Sequence, residues 1–203
     1  MNISETNRYY STNTEKIVTG LILYTLTLWT FVGNLFILIA VITNKQLKQN
    51  GTSNMLIGNL ALSDLLLSLT VMPLSATFIT FKHWIFGQIT CQIWMSFDVL
   101  CSTASIWGLL VIAMDRYKAT NHPLKYRLEK NNSKFGIIYI GTAWTISITI
   151  SLGSFLFHNN YSNQCVLFHM PIFVVSSSIV SFFLPLTFMV ILYSKVNFFL
   201  FYF

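Results

Sequence analysis

Three carboxylates stand within or at the edge of long apolar stretches: Asp64, Asp98 and Asp115. A carboxylate at mid-bilayer depth is costly, so each is a functional candidate by default and is expected to face a bundle interior. Asp98 follows Cys91 by about two helical turns and has no neighbouring Lys or Arg. An unpaired carboxylate at that level suits a cation arriving from outside. A protonated amine would supply charge pairing and a strong hydrogen bond, and nearby aromatic rings would add cation–π attraction. The other readings are a carboxyl held neutral or one bonded to a neighbouring helix.

A second polar set precedes Pro185: Ser176, Ser177, Ser178 and Ser181. Ser177 and Ser181 are four apart and share a helix face, with Ser178 about 100° round. Pro185 cannot donate to the carbonyl of Ser181, which loosens the helix at that level. Hydroxyls at one height could bond a polar ring substituent of a ligand whose amine is held by Asp98. Small serines also serve close helix packing in membranes, and that is the plainer reading.

Asp64, in Asn59-Leu60-Ala61-Leu62-Ser63-Asp64, falls mid-span. It suits a cation with water or a buried hydrogen-bond network, and a structural and switching role is favoured over ligand contact. Asp115-Arg116-Tyr117 closes the third span. Neighbours on a helix do not face each other squarely, so an Asp115–Arg116 pair is restrained. Its plausible use is a switch in which Arg116 exchanges the carboxylate for another partner; the alternative is a basic anchor at the cytoplasmic face. No HExxH, GxSxG, phosphate-binding glycine loop or Cys/His metal spacing occurs, so an enzyme is not expected and no cofactor is called for.

The elements that must position these residues follow from composition. Of 203 residues, 54% are hydrophobic and 9% charged, against about 25% charged in a soluble domain. That excludes a soluble enzyme, a disordered chain and a disulfide scaffold. The net charge of +6 lies in short basic patches between apolar runs, so a nucleic-acid partner is not expected. Five stretches are long enough to cross a bilayer as helices, which takes about 20 apolar residues. They are Ile17–Ile42, Asn54–Phe81, Ile89–Ala119, Phe135–Phe157 and Pro171–Phe203. The expected fold is an all-α integral membrane protein, with residues 1–16 as a flexible extracellular tail and 17–203 as one transmembrane domain.

Lys45 and Lys48 lie in the first loop; Lys118, Lys125, Arg127, Lys130 and Lys134 lie in or beside the third. Those loops are therefore cytoplasmic and the amino terminus is outside. Sidedness puts Cys91 and Cys165 together in the oxidising compartment and Cys101 within a span, predicting a Cys91–Cys165 disulfide. Asn2 and Asn160 head glycosylation sequons on the outer side.

In order, Gly33-Asn34, Asn59-Leu60-Ala61 with Asp64, Trp84 before Cys91, Asp98 through Ile106, Asp115-Arg116-Tyr117, His122-Pro123-Leu124, Trp144, Cys165, and Pro185 with Tyr193 resemble the rhodopsin-like G-protein-coupled receptors, and within them the biogenic-amine group. The resemblance covers nearly the whole chain. It implies five helices of a seven-helix bundle, in the plasma membrane, binding a biogenic amine and coupling to a heterotrimeric G protein. It implies that Asp98 is the amine counter-ion and that Ser177, Ser178 and Ser181 meet a catechol or phenol ring. Val99, Ser102 and Thr103 would line the same pocket. Asp64 matches the family's sodium-site aspartate, with Asn34 beside it in the switch, and a sodium ion would act as an allosteric ligand. Asp115, Arg116 and Tyr117 match the G-protein-coupling triplet. The run from Phe173 to Pro185 looks most like dopamine receptors, with octopamine, tyramine and adrenergic receptors close. Serotonin receptors share the helix-three run but generally not all three serines.

Two departures stand out. Ser151-Leu152-Gly153-Ser154 replaces the expected proline near the outer end of helix four. The chain also reaches Phe203 without the family's sixth and seventh helices, and so looks truncated after the fifth. The alternative expectation is a non-signalling isoform that associates with another receptor chain, or retains it, with residence in the endoplasmic reticulum.

Overall fold

A computed structural model describes residues 3–44, 51–124, 126, 133–156, 165 and 171–202. Asn2 and Asn160, the two sequon asparagines, lie outside the described residues, so their glycosylation remains an expectation.

Five long helices carry the chain: α1 (Ile3–Thr43), α2 (51–81), α3 (Gly87–Asn121), α4 (Ser133–Leu156) and α5 (171–202). All five hold stretches long and apolar enough to cross a membrane. The expected spans correspond to these helices one for one. The largest difference is at the start, where α1 begins at Ile3 and not near Ile17. Residues 3–16 contain neither Gly nor Pro, so nothing interrupts a helix once the apolar stretch has nucleated it. The segment expected to be a flexible tail is a polar helical extension of α1.

Helix α3 is the hub, packing against α2, α4 and α5, while α1 packs on α2 and α2 also meets α4. On α1 the half-buried positions Leu23, Thr27, Thr30, Asn34, Leu38 and Val41 recur at helical spacing. That single stripe faces the bundle, and Trp29 and Phe36 on other faces are exposed as lipid-facing residues should be. Tyr24 and Thr77 share a hydrogen bond of 2.7 Å between α1 and α2. At Gly136, a Cβ would stand 2.9 Å from a Thr52 methyl, so glycine lets α4 approach α2 closely there.

Two helices contain a π turn, Leu67–Val71 in α2 and Ile179–Phe183 in α5. Each lies just before a proline, Pro73 and Pro185. A proline removes one N–H from the ladder and its ring crowds the carbonyl four residues back, and the wide turn absorbs both defects. The loosening expected at Ser181 is therefore a discrete π turn around it.

α2 ends where Lys82 adopts the left-handed conformation (φ 60°), its N–H bonding the Phe78 carbonyl at 2.8 Å. The connection to α3 is held by aromatic packing. Trp84 stacks on Trp94 at 4.8 Å between ring centroids and donates its indole N–H to the Gly87 carbonyl at 2.7 Å. Cys91 is bonded to Cys165, with Cα atoms 5.9 Å apart, the pair expected from sidedness. Cys101 is a free, buried thiol. Lower down, Trp144 of α4 donates to Asn59 Oδ1 of α2 at 2.9 Å.

Candidate functional site

Three polar levels lie along α3, and they differ in how fully their groups are satisfied. At the level nearest the disulfide, Asp98 is half-buried and no side chain among the described residues hydrogen-bonds its carboxylate. One turn on, Ser102 donates to the Asp98 backbone carbonyl at 2.5 Å, which leaves the carboxylate oxygens untouched. Helix α5 packs against this helix, and Ser177, Ser178 and Ser181 are half-buried while Ser176 is exposed.

Each serine hydroxyl is satisfied within its own helix. Ser177 and Ser178 donate to the Val174 carbonyl at 3.1 and 2.7 Å, and Ser181 donates to the Ser177 carbonyl at 2.6 Å. Such bonds are local and exchangeable, because rotation about one torsion aims the hydroxyl elsewhere. The Asp98 carboxylate is thus without a side-chain partner among the described residues, while the serine hydroxyls hold replaceable ones.

Val99 is half-buried beside Asp98, but Thr103 is only 1% exposed. Five positions on from Asp98 is about 140° round the helix. That turns Thr103 into the packing between helices, at another bearing from Asp98.

At the middle level, Ser105 of α3 donates to Asp64 Oδ1 at 2.6 Å, and Ser63 lies 3.0 Å from the same hydroxyl. Asn34 donates instead to the Thr30 carbonyl of its own helix at 2.9 Å, so the structure does not join it to Asp64. The oxygens of Asp64, Ser63 and Ser105 are the hard ligands an alkali cation takes, and they fit a sodium ion as far as this chain supplies them.

At the far end, Asp115 is 9% exposed and ringed by hydroxyls. Ser53 of α2 donates to Oδ2 at 2.8 Å, and Tyr126, beyond the end of α3, reaches both oxygens at 3.1 Å. Ser53 and Tyr126 are themselves 2.7 Å apart. Burial, ahead of the neighbouring Asp115 charge, pushes the Tyr126 phenol up from its ordinary pKa, which keeps it a proton donor. Arg116 is exposed and makes no ion pair with Asp115 among the described residues, while Tyr117 is half-buried. The expected Asp115–Arg116 pair is thus replaced by a Ser53–Asp115–Tyr126 latch. Neither Ser53 nor Tyr126 was marked by any motif; only the need of a buried carboxylate for donors pointed to such residues.

Residues 33–201 match the family described as "7 transmembrane receptor (rhodopsin family)". The chain is 39% identical to octopamine receptor 2 of Lymnaea stagnalis over 92% of its own length and 34% of that protein. It is 36% identical to the D(1B) dopamine receptor of Xenopus laevis, covering 89% of the chain and 42% of the relative. It is 38% identical to the human 5-hydroxytryptamine receptor 1E, covering 91% and 52% respectively. The chain therefore spans between a third and about half the length of these curated relatives.

Proposed function

The chain belongs to the rhodopsin family of seven-transmembrane receptors, and from that membership we propose that it forms the part of a biogenic-amine receptor that holds the amine. Members of this family are receptors and not enzymes, and the chain is a multi-pass protein of the plasma membrane. The observation that carries the proposal is the Asp98 carboxylate, half-buried on α3 and without a side-chain partner among the described residues.

In this reading the protonated amine takes a charge-assisted hydrogen bond from its N–H to Asp98. Ser177, Ser178 and Ser181 then release their own carbonyls to meet ring hydroxyls, which selects catechol- and phenol-bearing amines, dopamine, octopamine and tyramine among them. Val99 and Ser102 complete the wall on α3. Binding biases a bistable bundle, and Arg116, exposed beside the latched Asp115, is the group presented to a heterotrimeric G protein. Asp64, with Ser63 and Ser105, holds a sodium ion whose occupancy shifts the same equilibrium.

The test is saturable binding of tritiated dopamine, octopamine, tyramine and serotonin to membranes bearing the 203-residue chain. A hydrogen bond to a charged group is worth about 1.5–3 kcal/mol, so Asp98→Ala should weaken binding about 10- to 100-fold. Unchanged binding in that variant would remove Asp98 from the assignment.

A further inference from the structure

Between α2, α3 and α4, at the end of the bundle away from the disulfide, lies a cavity of about 40 Å³. Thr52, Leu56, Asp115 and Tyr126 line it, with Lys118 and Tyr139. Its charges are ordered by depth. Asp115 is 9% exposed, whereas Lys118 is exposed and stands at the rim. Lys118 donates one ammonium proton to the Tyr139 hydroxyl at 2.7 Å and lies 5.0 Å from that ring's centroid.

Thr52 is the second observation. It is 8% exposed, and its hydroxyl has no hydrogen-bond partner among the described residues. Thr70, Thr77 and Thr80, farther along the same helix, each donate to the carbonyl four residues back. Thr52 lines the cavity beside Asp115, so its hydroxyl is placed to bond a group that enters there.

We propose that this cavity seats the headgroup of a phospholipid ending in a primary ammonium, of the phosphatidylethanolamine type. The ammonium enters toward Thr52 and Asp115, and the phosphodiester stays at the rim with Lys118 and Tyr139. An ionised carboxylate has about four lone-pair sites. Ser53 and Tyr126 make three contacts with Asp115, two on Oδ2 and one on Oδ1, so Oδ1 keeps a site for the ammonium. Lys118 keeps two ammonium protons and Tyr139 its phenolic proton for the phosphate.

Size and charge both select this headgroup. At about 10–15 Å³ for each water-sized group, the cavity has room for roughly three, which matches one nitrogen and two methylenes. A trimethylammonium group is too large and has no proton to donate. A glycerol headgroup satisfies Lys118 and can donate hydroxyl hydrogen bonds to Asp115, but it brings no positive charge to pair with that carboxylate. The rim lies at the cytoplasmic end of α3, where lysine side chains reach the headgroup layer of the inner leaflet.

The experiment is native mass spectrometry of the detergent-released chain, titrated in turn with phosphatidylethanolamine, phosphatidylcholine and phosphatidylglycerol of identical acyl chains. Phosphatidylethanolamine should be retained several-fold better than either competitor. Lys118→Gln and Thr52→Val should each remove most of that preference, while Lys118→Arg, Thr52→Ser and the remote Lys195→Gln should keep it. Phosphatidylglycerol retained as well as phosphatidylethanolamine would overturn the proposal in favour of a simple phosphate contact at Lys118. Equal retention of phosphatidylcholine, or no adduct with any of the three lipids, would overturn it in favour of a cavity that holds water only.

Discussion

The phenol oxygen of Tyr126 stands 3.1 Å from each oxygen of the Asp115 carboxylate, so the acid beside Arg116 is held from beyond the helix and not by its neighbour. With Ser53 it forms a triangle of three contacts served by two hydroxyl protons. Both protons are best placed on the charged acceptor, which makes the latch stronger than a pair of neutral bonds.

Removing either hydroxyl should therefore cost stability. Tyr126→Phe and Ser53→Ala are each expected to destabilise the bundle by about 1.5–2 kcal/mol, the lower part of the range for bonds to a charged group. Combined, they should be non-additive, because both act on one carboxylate. Denaturant unfolding of the two single variants and the double variant in one detergent measures the coupling. Strict additivity would show that the hydroxyls do not share Asp115.

The latch should also fail at alkaline pH. The Tyr126 phenol is raised above its ordinary value of about 10, chiefly by burial. The folded state thus holds this proton more tightly than the unfolded one. Its stabilisation is fully present below pH about 10 and is lost as pH rises through the folded value. Stability measured from neutral to strongly alkaline pH should fall more for the wild type than for Tyr126→Phe. Parallel curves would deny Tyr126 this part.

Replacing Ser177, Ser178 and Ser181 together by Ala should leave stability nearly unchanged, since each hydroxyl bonds a carbonyl of its own helix. Affinity for a catechol amine should nonetheless fall. At about 0.5–1.5 kcal/mol for each neutral bond, two bonds to the ring correspond to roughly 5- to 150-fold. Phenethylamine, which has no ring hydroxyl, should bind both proteins alike. An equal loss for both ligands would assign the serines to helix packing.

Trp144→Phe should destabilise by about 1–3 kcal/mol, because Asn59 Oδ1 loses its donor in the bundle interior. Adding Asn59→Leu should restore part of the loss, since the unsatisfied group then disappears. Thermal unfolding of the single and double variants distinguishes this from a simple change in ring size. No recovery in the double variant would point to packing alone.

How much of this was legible beforehand depended on the range of the interactions. Spans came through because an apolar run of bilayer length has few alternative fates, and the Cys91–Cys165 pair came through because membrane sidedness partitions thiols. Asp98 was visible as a carboxylate without a neighbouring base in the chain. The extension of α1 to Ile3 was not visible, since a polar stretch without a breaker is neutral between helix and coil. Ser53 and Asp115 are 62 residues apart, and no local pattern joins a serine on one helix to an acid on another. Only packing reveals that contact.

The π turn at Ile179–Phe183 also has a bearing on descent. A wide turn houses one residue more than an ordinary one. Loss of a single codon there would close the wide turn to an α-helical one and leave the two halves of α5 on their former bearings. Ser177 lies before that turn and the stretch from Leu184 to Tyr202 after it. Lineages that carry or lack this one residue would thus keep Ser177 and the far half of the helix aligned alike, and differ only within the turn.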